Sequence, residues 1–546
     1  MTKMDKTTVG EGSKEKYHEV FVPFPDVYDM GGPEAFTEFE RKTDVDEKRN
    51  LVILPMPFVD SMNNLIKKEN SVGCADALKF LRKAKDNGGL IQPATEPNRW
   101  SIYRISDGLD VATTETSGSY KMDSDFDLSD LLKKAFDYFH VPQEKLSLIS
   151  LNDMIHLKYG GRGINVQTPN FLIVDSDIVH RGVLLGNQEL YAKLYESKGS
   201  LPIDKVLDIS GWRELYMNQV VKFFTGSQSG LKEEFAILRG DLIRSSSGRI
   251  VRTENERLEL LKREEYNLAK GKLRIGSHTI DNLLGVRPKD MEQYIAMQHF
   301  MMSNDVSLLF LCGKRGSGKT LLSYVSAIDS VLWYPEDVRQ KRGYSSPSLK
   351  GGRFSQIIIM KAPEILGGKR RDPGFLPGSL YEKIKPHLQP FIDSHDETAL
   401  RHIYFEELLR HPKYATSDFP IRTPEVTPGN GVYFNTGLPV INFVYSGFIG
   451  GGSKRNTLFL IDEAQDFTPY ELKTILERLA EGSAAIVMGD TMQCRNPYCT
   501  PEINGLTSAI RNYIKKPYSA LIYLHKNYRD QISEDTEDWK VYNKSG

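Results

Sequence analysis

Cysteine is scarce: Cys74, Cys312, Cys494 and Cys499 are the four in 546 residues. So few, so scattered, exclude a disulfide-built scaffold and fit a reducing compartment. Cys494 and Cys499 lie five positions apart, with no second Cys/His pair nearby in sequence, which argues against a zinc site. Long apolar runs are missing too. None approaches the roughly 20 residues that span a bilayer. Residues 1–16 are polar, lack an apolar signal core and read as a flexible tail. Neither charge sign is in excess: 71 Lys plus Arg against 72 Asp plus Glu leave a net charge of −1. That balance excludes coating of nucleic acid by bulk charge and leaves a local basic groove open. The expectation is a cytoplasmic protein with no membrane partner, in the host cytoplasm if the gene is viral.

What is present is ordinary globular material, 40% apolar and 26% charged, with no internal repeat. Apolar residues 50–59 predict a buried strand, and Asp76 to Lys85 an amphipathic helix. Residues 90–125 read as irregular, Asp127 to Phe139 as a helix and Leu146 to Leu151 as a strand. The alternation predicts an α/β domain over 17–200. A connector follows over 201–280, with the charged run Arg252 to Lys272 as a solvated helix or part of the connector itself. Continuous apolar runs at 307–312, 356–360, 457–462, 484–490 and 520–524 alternate with helical stretches. They predict a parallel sheet covered on both faces over 281–530. A polar tail, 531–546, ends the chain.

The first of those strands leads into Gly313-Lys314-Arg315-Gly316-Ser317-Gly318-Lys319-Thr320, which meets every fixed position of G-x-x-x-x-G-K-[ST]. Glycines let backbone N–H groups converge on phosphate oxygens. Lys319 supplies a point charge for the β and γ phosphates of ATP, and Thr320 a hydroxyl for Mg²⁺. The helix behind the loop adds the positive end of its dipole. The strand at 457–462 ends in Asp462-Glu463-Ala464-Gln465. Asp462 is placed to hold the metal and Glu463 to polarise an attacking water. Gly489-Asp490-Thr491-Met492-Gln493 closes another strand, with Gln493 as a γ-phosphate sensor.

The DEAQ and GDxxQ pair resembles a superfamily 1 helicase core. The surrounding residues narrow the resemblance to the PhoH ATPases: Gly285 to Gln293, Gly374 to Gly378 with Glu382-Lys383, Ile461 to Leu476, and Gly489 to Tyr498 with Asn504-Gly505-Leu506. The resemblance covers residues 281–530 and implies a RecA-like P-loop sheet with a long insert. It also implies that Gln293 touches adenine and that Arg529 stabilises charge on the transferring phosphoryl group. The chain departs from the family pattern at Lys361, at Ser446-Gly447 and at Asp466, where arginine, Arg-Gly and asparagine are usual. About 230 residues after the loop suffice for one nucleotide-binding sheet, not two in tandem. A homo-oligomer, such as a hexameric ring whose neighbour supplies an arginine, would close the site.

Residues 17–200 resemble, more weakly, the PIN nuclease domain of PIN–PhoH fusions. The similar stretches are Asn50 to Leu65, Val72 to Leu81, Ser147 to Asp153, His180 to Val183 and Leu190-Tyr191. A PIN site gathers carboxylates onto Mg²⁺ or Mn²⁺ ions for phosphodiester cleavage. The candidate acids are Asp26, Asp60, Asp125, Asp127 and Asp153. Asn152 aligns with the family's last acid, so a scaffold that no longer cuts is the competing reading. Arg339, Lys341, Arg342, Lys350, Arg353, Lys361, Lys369, Arg370 and Arg371, with Tyr344 and Phe354, suggest a groove for single-stranded RNA or DNA. The expected function is ATP hydrolysis coupled to work on single-stranded RNA, helicase-like, beside a metal-dependent ribonuclease domain. The alternatives are the same ATPase with a dead PIN scaffold, or a nucleotide-gated assembly module.

Overall fold

The computed structural model describes residues 17–42, 48–69, 71–92, 100–114, 128, 132–133, 138–139, 142–225, 232–262, 272–332, 334, 336–343, 352–362, 365–366, 369–370, 380–409, 440–445, 452–496 and 498–529. The chain divides into two compact units, Met1–Ile173 and Val174–Gly546.

In the first unit, β1 (Tyr17–Pro23), β2 (Arg49–Leu54), β3 (Leu90–Gln92), β4 (Trp100–Ser106), β5 (Leu109–Thr114), β6 (Leu146–Ile149) and β7 (Asn165–Gln167) form one sheet. Its order is β3-β4-β5-β2-β1-β6-β7. The strands from β5 to β7 pair in parallel, while β3 and β4 add an antiparallel edge. Two expectations are corrected here. The apolar run at 50–59 is not one strand: β2 stops at Leu54 and the helix Met56–Glu69 begins after Pro55. Proline cannot donate to the ladder, and its fixed φ suits a helix entry. Within 90–125 the described residues are not irregular, because they hold β3, β4 and β5. Alternation in YRIS and LDVATT is the period-2 signal that threonine and serine content masks.

The second unit opens with β8 (Val183–Leu185), β9 (Ser200–Pro202), β10 (Val220–Thr225), β11 (Lys232–Arg244) and β12 (Ile250–Leu260). They form a sheet of order β8-β10-β11-β12-β9. It straddles residue 200, so the units part at 173 rather than at the expected boundary. The charged run from Arg252 is strand β12, not helix, as far as Leu260. Facing charges on neighbouring strands explain this, such as Arg257 with Asp241 at 3.3 Å. The short pair β13 (Leu273–Ile275) and β14 (His278–Ile280) follows.

The larger sheet holds β15 (Leu308–Gly313), β16 (Gln356–Lys361), β19 (Ile441–Tyr445), β20 (Thr457–Asp462), β21 (Ala484–Gly489) and β22 (Ser519–Leu524). A small hairpin, β17 (Ile365–Leu366) with β18 (Lys369–Arg370), lies between in sequence. The order β19-β16-β20-β21-β15-β22 is parallel throughout. Every residue of β15, β20, β21 and β22 is buried, as two-sided cover demands. The helix Lys319–Val331 buries all ten residues from Leu322 to Val331. This sheet puts β21 between the strand that feeds the phosphate loop and the strand that ends in Asp462. Ligands of such sheets bind beyond the carboxyl ends of the strands.

Candidate nucleotide site

Register brings the motifs to one edge. Cys312 pairs with Gly489, Ile461 with Val487 and Lys361 with Asp462. The chain after each strand therefore enters the same crevice. Gly316 and Gly318 adopt φ of 74° and 89°, which only glycine holds at little cost. Gly318 caps the helix Lys319–Val331, so its first N–H groups are free to face an anion.

Lys319 donates from Nζ to the carbonyls of Gly313, at 2.5 Å, and Lys314, at 2.8 Å. Burial lowers its ammonium pKa; the carboxylates of Glu463, Asp490 and Asp462 pull it back up. The balance is a lowered pKa for a desolvated ammonium that rests on two loop carbonyls. Asp462 is 7% exposed at the end of β20. Burial raises its pKa, against the Lys361 ammonium 3.3 Å from Oδ2. Lys361 thus lies on the strand beside Asp462 and turns its side chain toward it. Thr320 is the second residue of the helix behind the loop. A hydroxyl and a carboxylate are hard oxygen donors, a set that suits Mg²⁺.

Glu463 holds φ of 50°, left-handed for a residue with a side chain. Such strain collects where surroundings force a side chain into a working direction. Its carboxylate accepts from Gln465 Nε2 at 2.8 Å and lies 3.6 Å from Arg495. Gln465 is fully buried. Its Oε1 accepts from the Asp490 N–H at 3.0 Å, joining the ends of β20 and β21. Sequence alone gives Gln465 no role beyond its place inside the DEAQ motif. Asp490 accepts from the Met492 N–H at 3.0 Å and from Gln493 Nε2 at 2.5 Å. Gln493 Oε1 in turn accepts from Arg315 of the phosphate loop. The third motif therefore touches the first.

Gln293 lies on the helix Met291–Ile295, 3% exposed. Its Oε1 accepts from the Lys289 N–H at 2.8 Å, and its Nε2 donates to the Ser317 carbonyl at 2.9 Å. It braces the loop. The segment after β22 clasps the other side. Tyr528 N donates to the Gly316 carbonyl at 3.0 Å, and its hydroxyl donates to Asp290. The aliphatic part of Arg529 lies against Gly316, within 2.8 Å of where a β-carbon would stand. Glu292, 3% exposed, accepts from both the N–H and Nδ1 of His525, at 2.8 and 2.9 Å. Sequence spacing over more than 200 positions gave no sign of that pair.

The acids of the first unit are placed differently. Asp26 follows β1, where the parallel order reverses toward β2 and β6. Its carboxylate accepts from Ser150 Oγ and the Leu151 N–H, both at 2.8 Å, and from the Val27 N–H at 2.9 Å. Burial still raises its pKa despite these donors. Asp60 is exposed on the helix Met56–Glu69, and Asp153 begins the short helix Asp153–Ile155. Asp125 and Asp127 lie outside the described residues. Among the described residues, no group of three or more His, Cys, Asp or Glu side chains could hold a metal ion. The expected gathering of carboxylates is therefore not assembled from the described acids. In the basic stretch, Arg342 is buried on Asp329 at 2.7 Å; Arg339 and Lys341 pair with Glu336 and Asp337. Tyr344, Lys350 and Arg371, like Ser446-Gly447 and Gly374 to Gly378, lie outside the described residues. No described helix is long and apolar enough to cross a membrane.

Comparison with known proteins finds similarity to PhoH proteins. Protein PhoH2 of Bacillus subtilis is 27% identical over 61% of this chain and 66% of its own length, just under two thirds. A PhoH-like protein of the same organism is 28% identical over 58% of this chain and 79% of its own. Protein PhoH2 of Mycolicibacterium smegmatis is 24% identical over 46% of each chain. Residues 344–538, which hold the DEAQ and GDxxQ segments, match the PhoH-like protein family.

Proposed function

We propose that the chain is an ATP hydrolase whose turnover drives work on single-stranded RNA. One observation carries the hydrolase: the phosphate loop, Asp462-Glu463 and Asp490-Gln493 converge through Gln465 and Arg315 at the carboxyl ends of three adjacent strands. Lys319 and the loop N–H groups bind the phosphates. Thr320 and Asp462 would hold Mg²⁺, which screens phosphate charge when bound. Glu463, oriented by Gln465, takes the proton of the attacking water. Gln493 reports on the γ position and passes its state to Arg315. Arg529 reaches the loop from the same chain; an arginine from a neighbour in a homo-oligomeric ring would complete the charge around the transferring group. The likeness to PhoH proteins supports this reading. Glu463→Gln should lower ATP turnover by at least about 100-fold with nucleotide affinity kept. Single-stranded RNA should raise wild-type turnover. Turnover untouched by Glu463→Gln would remove the mechanism; turnover indifferent to RNA would leave ATP hydrolysis and remove the RNA coupling.

A second reading concerns the first unit. The Asp26 carboxylate already accepts from three donors, none of them a cation, which favours a PIN-like scaffold without nuclease chemistry. Manganese-dependent cleavage of single-stranded RNA that Asp26→Asn abolishes would overturn that reading and restore a metal-dependent ribonuclease.

A further inference from the structure

A cleft of about 930 Å³ lies at the opposite end of the larger sheet, where Leu308, Asn456, Ser483 and Tyr518 lead into or open β15, β20, β21 and β22. A six-residue strand separates it from the phosphate loop by roughly 17 Å. Its volume is that of a ligand site, yet nothing in the nucleotide chemistry uses it. Tyr513 and Tyr518 line it half-buried. The tip of the β11–β12 hairpin forms one wall. Arg244 fixes that tip, donating to the Gly248 carbonyl at 3.0 Å and pairing with Asp305 at 2.5 Å. Arg249 is thereby presented exposed at the cleft. Arg353 lies over the Phe354 ring on another wall, at 4.8 Å.

The rim is basic. Lys454 and Arg455 precede the lining residue Asn456, and Lys516 lies in the turn between the two tyrosines. Arg249, Lys454, Arg455 and Lys516 are all exposed, and among the described residues none has a carboxylate partner. Glu481 and the neutralised Asp305 are the lining acids. Two helices, Pro469–Leu476 and Gly505–Tyr513, turn their carboxyl ends this way. Their dipoles oppose an anion, but that effect fades within one helical turn. Unpaired side chains reach beyond it. Cations spread over several walls match several phosphates rather than one. Tyrosine faces among them suit unstacked bases.

We infer that this cleft binds a stretch of single-stranded nucleic acid, at the end of the sheet away from ATP. The binding rests on the RNA reading for its purpose and not for its measurement. The test is fluorescence anisotropy of a labelled oligouridine 12-mer on the full chain, across a salt series. Arg249→Glu with Lys516→Glu changes exposed side chains, and basal ATP turnover should stay unchanged. The double change should weaken binding at least tenfold. It should also flatten the slope of log affinity against log salt by about 0.7 for each phosphate that is no longer neutralised. Wild type that binds while the double variant binds equally well would overturn this site and spare the RNA reading. Wild type that binds no strand would remove both. Displacement of the 12-mer by uridine monophosphate at similar concentration would replace the strand with a mononucleotide ligand and overturn the inference.

Discussion

Gly489 has no room for a β-carbon. One placed there would stand 2.5 Å from Gln465 Oε1 and 2.8 Å from Leu506 Cδ2. The glycine lets the fully buried Gln465 amide cross from β20 to the Asp490 N–H. Gly489→Ala must move that amide. Overpacking of this kind costs about 1–3 kcal/mol, and the displaced Gln465 would release Glu463. The expected result is a lower denaturation midpoint together with a turnover loss larger than any loss of ATP affinity. A variant destabilised but fully active would show that Gln465 does not orient Glu463. Other residues at this scale were readable from sequence because the chemistry is local. Lys319 and Thr320 follow the glycines that need them, and Asp462 ends a strand of continuous apolar residues. Gln465 was readable as part of a motif but not as a link. The link depends on which strand lies beside β20, and no local pattern encodes that order.

At the scale of elements, buried parallel strands announced themselves and charged strands did not. The runs that became β15, β20, β21 and β22 are buried throughout and mostly apolar, the pattern left when both faces are covered. In β12, a solvated antiparallel hairpin carries alternating charge instead, which reads equally well as an exposed helix. The β11–β12 sheet also carries a pH-sensitive tie. Arg239 of β11 donates to His299 Nδ1 at 3.0 Å, a bond that needs the imidazole neutral. Burial, then the Arg239 charge, pushes the His299 pKa from 6.5 down to about 3. Between those values the unfolded chain binds a proton that the folded chain refuses. The contribution is therefore whole above pH 6.5 and is lost as pH falls toward 3. Its slope is at most about 1.4 kcal/mol per pH unit. Denaturant titrations from pH 7 to 5 should show stability falling, and His299→Gln should flatten that decline. An unchanged decline in the variant would assign it to other groups.

For the whole molecule, the boundary at Ile173 and Val174 has a functional consequence. Every side chain assigned to ATP binding or hydrolysis lies in the second unit, from Gln293 to Arg529. The β8–β12 sheet belongs with it, through Lys222, which lies 3.9 Å from the buried Glu292, and through the Arg239–His299 bond. A cut at residue 200, the boundary expected from sequence, would divide that sheet by separating β8 from the rest. A cut at 173 would not. A fragment of residues 174–546 should therefore bind ATP within a few-fold of the full chain and hydrolyse it. A fragment of 201–546 should lose stability, because β10 gives up its parallel partner β8 and the core of that sheet gives up the buried Leu190 and Leu194. The comparison separates two roles for the first unit. Equal turnover in the full chain and the 174–546 fragment would make the first unit an attachment that acts on substrate or partners. Lost turnover in a well-folded 174–546 fragment would make it part of the hydrolytic machine, and the assignment of all catalytic groups to the second unit would fail.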